Sequence, residues 1–147
     1  MSESILVPID FSDVTDAVIA RAAQLAKAFD AKIWLIHAAV PEPDFVGYEV
    51  GPEYIRDSAA RHLREEHQML GQYQDKLRAE GVEVTAMLVP GEAVEKILQE
   101  AISLEAGWIV LGSHGHGALY NLLAGSVCQG VLSKTACPVV IVPSRPV

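Results

Sequence analysis

The sequence predicts an α/β fold: a single doubly wound domain over residues 1–147, with helices on both faces of a parallel sheet. Three observations carry this. Five short apolar runs read as strands, and segments with helical apolar spacing separate them. Strands that alternate with helices need crossover connections, and those join parallel neighbours. The chain has 147 residues, half of them apolar and 20% charged. That is enough to bury one core, and too apolar for a disordered chain.

Each element has its own signature. "SILVPID" (Ser4–Asp10) is an apolar run without clear alternation, as expected of a strand covered on both faces. Asp10, Ser12 or Asp13 offers a cap, after which Val18, Ala22, Leu25, Ala26 and Phe29 recur at helical spacing. "AKIWLIHAAV" (Ala31–Val40) is a second buried strand, and the proline-rich "PEPDFVGYEVGPE" a loop. A long polar helix then carries Ile55, Ala59, Leu63, Leu70, Tyr73 and Leu77 on one stripe, and Gly81 closes it. "VEVTAMLV" (Val82–Val89) alternates like a strand near an edge. Val94, Ile97, Leu98, Ala101 and Ile102 mark the next helix, and "GWIVLG" (Gly107–Gly112) the fourth strand. A last helix turns Val127, Val131 and Leu132 inward before the strand "CPVVIVP" (Cys137–Pro143).

Composition narrows the function. A formal net charge of −8 argues against a general nucleic-acid or membrane-surface binder, though not against a nucleotide. Backbone N–H groups can hold phosphate without net positive charge. Cys128 and Cys137 form no CxxC or zinc spacing and read as small core residues in a reducing compartment. The start "MSESILVPIDFSD" lacks the basic and apolar regions of a signal peptide, and no apolar run approaches membrane-spanning length. A cytoplasmic location is expected.

The stretch "VLGSHGHGALYNLLAGSV" (Val110–Val127) carries the chemistry. Gly112, Gly115 and Gly117 allow positive φ and close approach to a ligand, and Gly125-Ser126 stands where the next helix opens. Free N–H groups there attract anions. The stretch is not a Walker A loop, since no Gly-Lys-Ser/Thr follows, nor a dinucleotide GxGxxG at the first strand. The bland alternative is that the glycines only make a turn. His114 and His116 could chelate a metal but lack a third ligand nearby, so exposed loop histidines, or weak donors beside phosphates, are favoured. Ser113 adjoins His114 without a G-x-S-x-G elbow; it donates to a ligand or satisfies loop backbone. Asp10 caps the first helix, faces the ligand, or does both. His37 reads as a half-buried histidine with a backbone partner, and Trp34 and Trp108 as packing aromatics. His62 and His67 carry no visible pattern. Ligands in such sheets bind beyond the carboxyl ends of the strands where strand order reverses. If the first and fourth strands are neighbours there, Asp10 and Gly112 line one crevice.

"ILVPIDFSD", "IWLIHAAV" and the block "IVLGSHGHGALYNLLAGSVCQGVLSKTACPVVIVP" together resemble the universal stress protein family, in its ATP-binding branch. The block contains the spacing G-x2-G-x9-G-[ST] as Gly112, Gly115, Gly125 and Ser126, following a strand and preceding a helix. The resemblance implies strand order 3-2-1-4-5 and ATP (or ADP or AMP) in the crevice, with Mg2+ or Mn2+ on the phosphates. By position it implies that Pro8, Ile9 and Asp10 line adenosine and that the Ala38 backbone reads the adenine edge. Gly112 then neighbours the ribose. Gly115, Gly125 and Ser126 hold phosphates, Val127 continues that helix start, and Ser12 is a small hydroxyl position in the first loop. Phe11 stands where many members have glycine.

The chain shows no base for an attacking water and no lysine clamp for a γ-phosphate, which favours binding over turnover. An ATP-binding regulator acting through an unknown protein partner is the expected function; a slow ATPase and a nucleotide-free dimeric module are the alternatives. With the fifth strand at an edge, "PVVIVP" has four β-formers and no charge, so a homodimer through Val139–Val142 is expected.

Overall fold

A computed structural model describes residues 3–39, 53–113 and 125–144, with the side chains of 53–60 excepted. The elements run β1 (Ser4–Pro8), α1 (Thr15–Phe29), β2 (Lys32–Ala39), α2 (Glu53–Ala79), β3 (Val84–Pro90), α3 (Ala93–Ser103), β4 (Trp108–Gly112), α4 (Ser126–Lys134) and β5 (Val139–Val142). The strands form one parallel sheet in the order β3-β2-β1-β4-β5, and β3 takes the edge its alternation predicts.

Burial on both sheet faces explains the uninterrupted apolar runs. Ile5, Val7, Ile33, Leu35 and Val110 pack on one face against Val18, Ala22 and Ala26 of α1 and Leu70 and Leu77 of α2. Leu6, Ile36, Ile109 and Leu111 pack on the other, against Ile97 and Ala101 of α3 and Cys128 and Val131 of α4. Successive strand residues thus feed opposite cores, as the two-residue strand repeat demands. Trp34 and Trp108 pack at the margins of these cores.

Several boundaries and facings depart from the sequence reading. Val82 lies outside β3 because its N–H closes the end of α2 on the Leu77 carbonyl, beside Gly81 at φ 87°. Phe29, Leu63, Ile102, Val127 and Leu132 are exposed rather than inward. Helical spacing marks the stripe, but not how much of it a neighbour covers. Phe29 stacks instead on Trp108, with centroids 5.5 Å apart. No side chain caps α1: its N-cap is Val14, and Asp10 bonds within the preceding turn. The loop of residues 41–52 lies outside the described residues, as do 114–124.

Candidate functional site

The sheet reverses its winding between β1 and β4. From β1 the chain passes outward through β2 to β3; from β4 it passes the other way to β5. The β1–β4 register pairs Ile5 with Trp108 and Leu6 with Ile109, whereas β1 and β2 pair over five residues. Pro8 and Gly112, at the carboxyl ends of β1 and β4, therefore extend beyond that paired register. This is the switch point at which open α/β sheets receive ligands.

The glycine stretch returns to its own base. The Gly125 N–H donates to the Ser113 carbonyl at 2.6 Å, so residues twelve apart in sequence meet at the end of β4. The Ser113 N–H donates to the Val142 carbonyl, and its Oγ accepts from the Ser144 N–H at 3.3 Å. Ser113 is buried and tied to the end of β5. Gly125 is buried, in extended backbone at φ −73°. Among the described glycines, positive φ falls on Gly81 and Gly91, not on Gly112 or Gly125. At Gly112 and Gly125 the backbone conformation does not itself call for glycine.

The start of α4 differs from those of α1 and α3. Glu92 caps α3 by accepting from the N–H groups of Val94 and Glu95, which hold its carboxyl below the usual carboxylate range. α1 and α3 each carry an acid in the first turn. α4 has neither an acid there nor a side-chain cap, and its first intrahelical bond is Gln129 N–H to the Gly125 carbonyl. The N–H groups of Ser126, Val127 and Cys128 precede that bond, and Ser126 and Val127 are exposed. Such a terminus favours an anion.

Across the crevice, the turn after β1 is tightly built. Ile9 is buried; its N–H donates to the Ile36 carbonyl at 2.8 Å. Asp10 Oδ1 accepts from the Ser12 N–H at 3.0 Å, and the Ser12 carbonyl accepts from the Thr15 N–H. Phe11 between them lies at φ 61°, a left-handed conformation costly for an aromatic residue. The Ser12 hydroxyl is buried and has no hydrogen-bond partner among the described residues. Ala38 is half-buried on β2, paired with Val89 of β3.

His37 has the backbone partner its sequence reading expects, with Nδ1 2.8 Å from the Ile9 carbonyl, but it is buried rather than half-buried. Its Nε2 meets Glu66, a residue the sequence reading passed over. The signal was present: Glu66 falls between Leu63 and Leu70 on the apolar stripe of α2, where a carboxylate needs a buried partner. Among the described residues no group of three His, Cys, Asp or Glu side chains is arranged to hold a metal ion. His114, Gly115, His116 and Gly117 lie outside the described residues. Burial raises the thiol pKa of both Cys128 and Cys137, in keeping with unreactive packing residues.

Comparison with known proteins places this geometry. The model of the universal stress protein family matches residues 1–143. A universal stress protein of Thermus aquaticus is 33% identical over 97% of this chain and 99% of its own length. A solved universal stress protein in complex with cAMP superposes with a TM-score of 0.73 at 23% identity, over 98% of both chains. One from Archaeoglobus fulgidus in complex with dAMP superposes with a TM-score of 0.68 at 24% identity, over 95% of this chain and 96% of that one.

Proposed function

Because this chain belongs to the universal stress protein family, we propose that it binds an adenine nucleotide, ATP above all, in the crevice between β1 and β4. The observation that carries the proposal is the N-terminus of α4, uncapped among the described residues and drawn against the end of β4 by the Gly125–Ser113 hydrogen bond. Its N–H groups suit phosphate oxygens. The cAMP and dAMP held by the two superposable proteins share adenine, a sugar and one phosphate, which supports an adenine nucleotide here.

In this reading Gly115, Gly125 and Ser126 take the phosphates, and Val127 continues the donor row. Gly112 borders the ribose, Pro8, Ile9 and Asp10 line the nucleoside, and the Ala38 backbone meets the adenine edge. Ser12 offers its hydroxyl from the first loop. Ser113 holds the base of the glycine stretch, and His116 lies beside the phosphates. A Mg2+ or Mn2+ ion would ride on the phosphates. Occupancy then governs contacts with a regulatory protein partner rather than driving rapid hydrolysis. Among the described residues no helix is long and apolar enough to cross a membrane; the cytoplasmic location remains the expectation drawn from the sequence.

Mass spectrometry of ligand released from purified protein, with calorimetric titration of ATP, AMP and cAMP, tests this. A protein that carries no nucleotide and binds none of the three refutes it. Phosphate release at a few per second, as in ordinary enzymes, refutes the preference for binding over turnover.

A further inference from the structure

A buried chain of polar groups runs from α2 to the turn after β1. His37 and Glu66 are 9% and 7% exposed, while His62, one helical turn before Glu66, is open to solvent. The Ile9 carbonyl can only accept, so His37 Nδ1 carries the proton of their 2.8 Å contact. Nε2 faces Glu66, and that contact needs a proton of its own. Either an imidazolium donates to the carboxylate, or a protonated Glu66 donates to a neutral ring. The second oxygen of Glu66 meets His62 Nε2 at 2.9 Å. In both arrangements the imidazole is held at both nitrogens and cannot rotate without breaking a buried hydrogen bond.

The held ring supports the strained residue. Phe11 packs on His37 with centroids 4.6 Å apart and lies 6.4 Å from Tyr73. Tyr73 donates to Asp16 Oδ1 at 2.9 Å, a second tie from α2 to the start of α1. The turn from Ile9 to Ser12 is thus gripped from behind by two residues of α2 and one of β2. The turn follows β1 at its carboxyl end, the end at which the nucleotide is proposed to bind.

We propose that Glu66, acting through His37, is a positioning residue for nucleotide binding. It locks the imidazole against the Ile9 carbonyl and so fixes the turn that carries Asp10 and Ser12. This rests on the nucleotide site proposed above. Without Glu66 the ring loses one anchor, Phe11 loses its fixed platform, and the turn must be ordered at the expense of binding.

The experiment compares wild type, Glu66→Gln and Glu66→Ala by calorimetric titration with ATP and AMP, together with 15N NMR of the histidine rings. Glu66→Gln can donate its amide N–H to Nε2 of a neutral imidazole, so affinity stays within about threefold of wild type. Glu66→Ala weakens both nucleotides by about tenfold or more. His62→Ala, which leaves the His37–Glu66 contact in place, binds like wild type. Unchanged affinity in folded Glu66→Ala overturns the proposal and leaves Glu66 a structural support of α2. Equal losses in the Gln and Ala variants overturn it as well, because charge rather than ring anchoring would then be at work. Should Glu66→Ala fail to fold, the wild-type ring decides: a His37 Nδ1 without a proton, or ring resonances that ignore added nucleotide, overturns the proposal. Wild type that binds neither ATP nor AMP refutes the nucleotide site itself, and the positioning role with it.

Discussion

Single residues on either side of the switch point are asked for different things. Gly125 is buried where the chain meets the Ser113 carbonyl, and in the proposed site a side chain there would stand between backbone and phosphate. Gly125→Val is expected to weaken ATP by at least about tenfold, or about 1.4 kcal/mol. Calorimetric titration checks this; near-wild-type affinity in a folded variant removes the phosphate assignment. Asp10 works differently from a helix cap. Its carboxylate closes the turn through the Ser12 N–H and helps hold Phe11 in a left-handed conformation. Asp10→Ala is expected to cost about 1 kcal/mol of stability, one hydrogen bond's worth, and to reduce affinity by more than that. Thermal melting read alongside titration separates the two. A melting point that collapses while the folded fraction binds normally makes Asp10 purely structural.

Among the elements, α3 and α4 satisfy their first turns in opposite ways. Glu92 closes the N-terminus of α3 with its own carboxylate, and the bonds to Glu95 and Val94 lower its pKa. A carboxyl group whose folded-state pKa is depressed stabilises the fold above its unfolded value. That contribution is lost as pH falls through the folded value. Glu92→Ala should therefore lower the melting temperature at neutral pH and make less difference in acid; Glu92 is largely exposed, so the effect is small. An equal deficit at both pH values would mean that the carboxylate's charge is not what caps α3. α4 carries no acid in its first turn, and among the described residues no side chain caps it.

At the scale of the whole molecule, the two edges of the sheet are finished unequally. On β3, Arg78 of α2 donates to the Val84 carbonyl, and Gln74 accepts from the Ala86 N–H. One edge is therefore blunted by side chains of the chain itself. The other edge is β5, four apolar β-formers between Pro138 and Pro143, with Ile141 38% exposed. We propose that two copies pair here about a twofold axis. Light scattering at micromolar concentration should give twice 15.8 kDa. A clean monomer mass refutes the dimer, and Ile141→Pro, which removes a backbone donor, should shift the balance toward monomer.

By itself the sequence determined the α/β alternation, the two-faced burial of the strands, and the glycine stretch at the end of the fourth strand. These follow from local periodicity and turn chemistry, which neighbours in the chain are enough to specify. The edge position of β3 was legible from its alternation, and that of β5 through the family resemblance carried by the first two strands and the C-terminal block with its G-x2-G-x9-G-[ST] spacing. Only the tertiary structure decided that Glu66 is buried against His37, residues 29 positions apart that pair solely because α2 lies across the end of β2. It also decided that Asp10 serves its turn and not the helix, since a short acceptor reaches whichever N–H the backbone presents first. The outward facing of Ile102 and Leu132 was decided there too. Helical spacing defines a stripe, but how much of that stripe is covered depends on what packs against it.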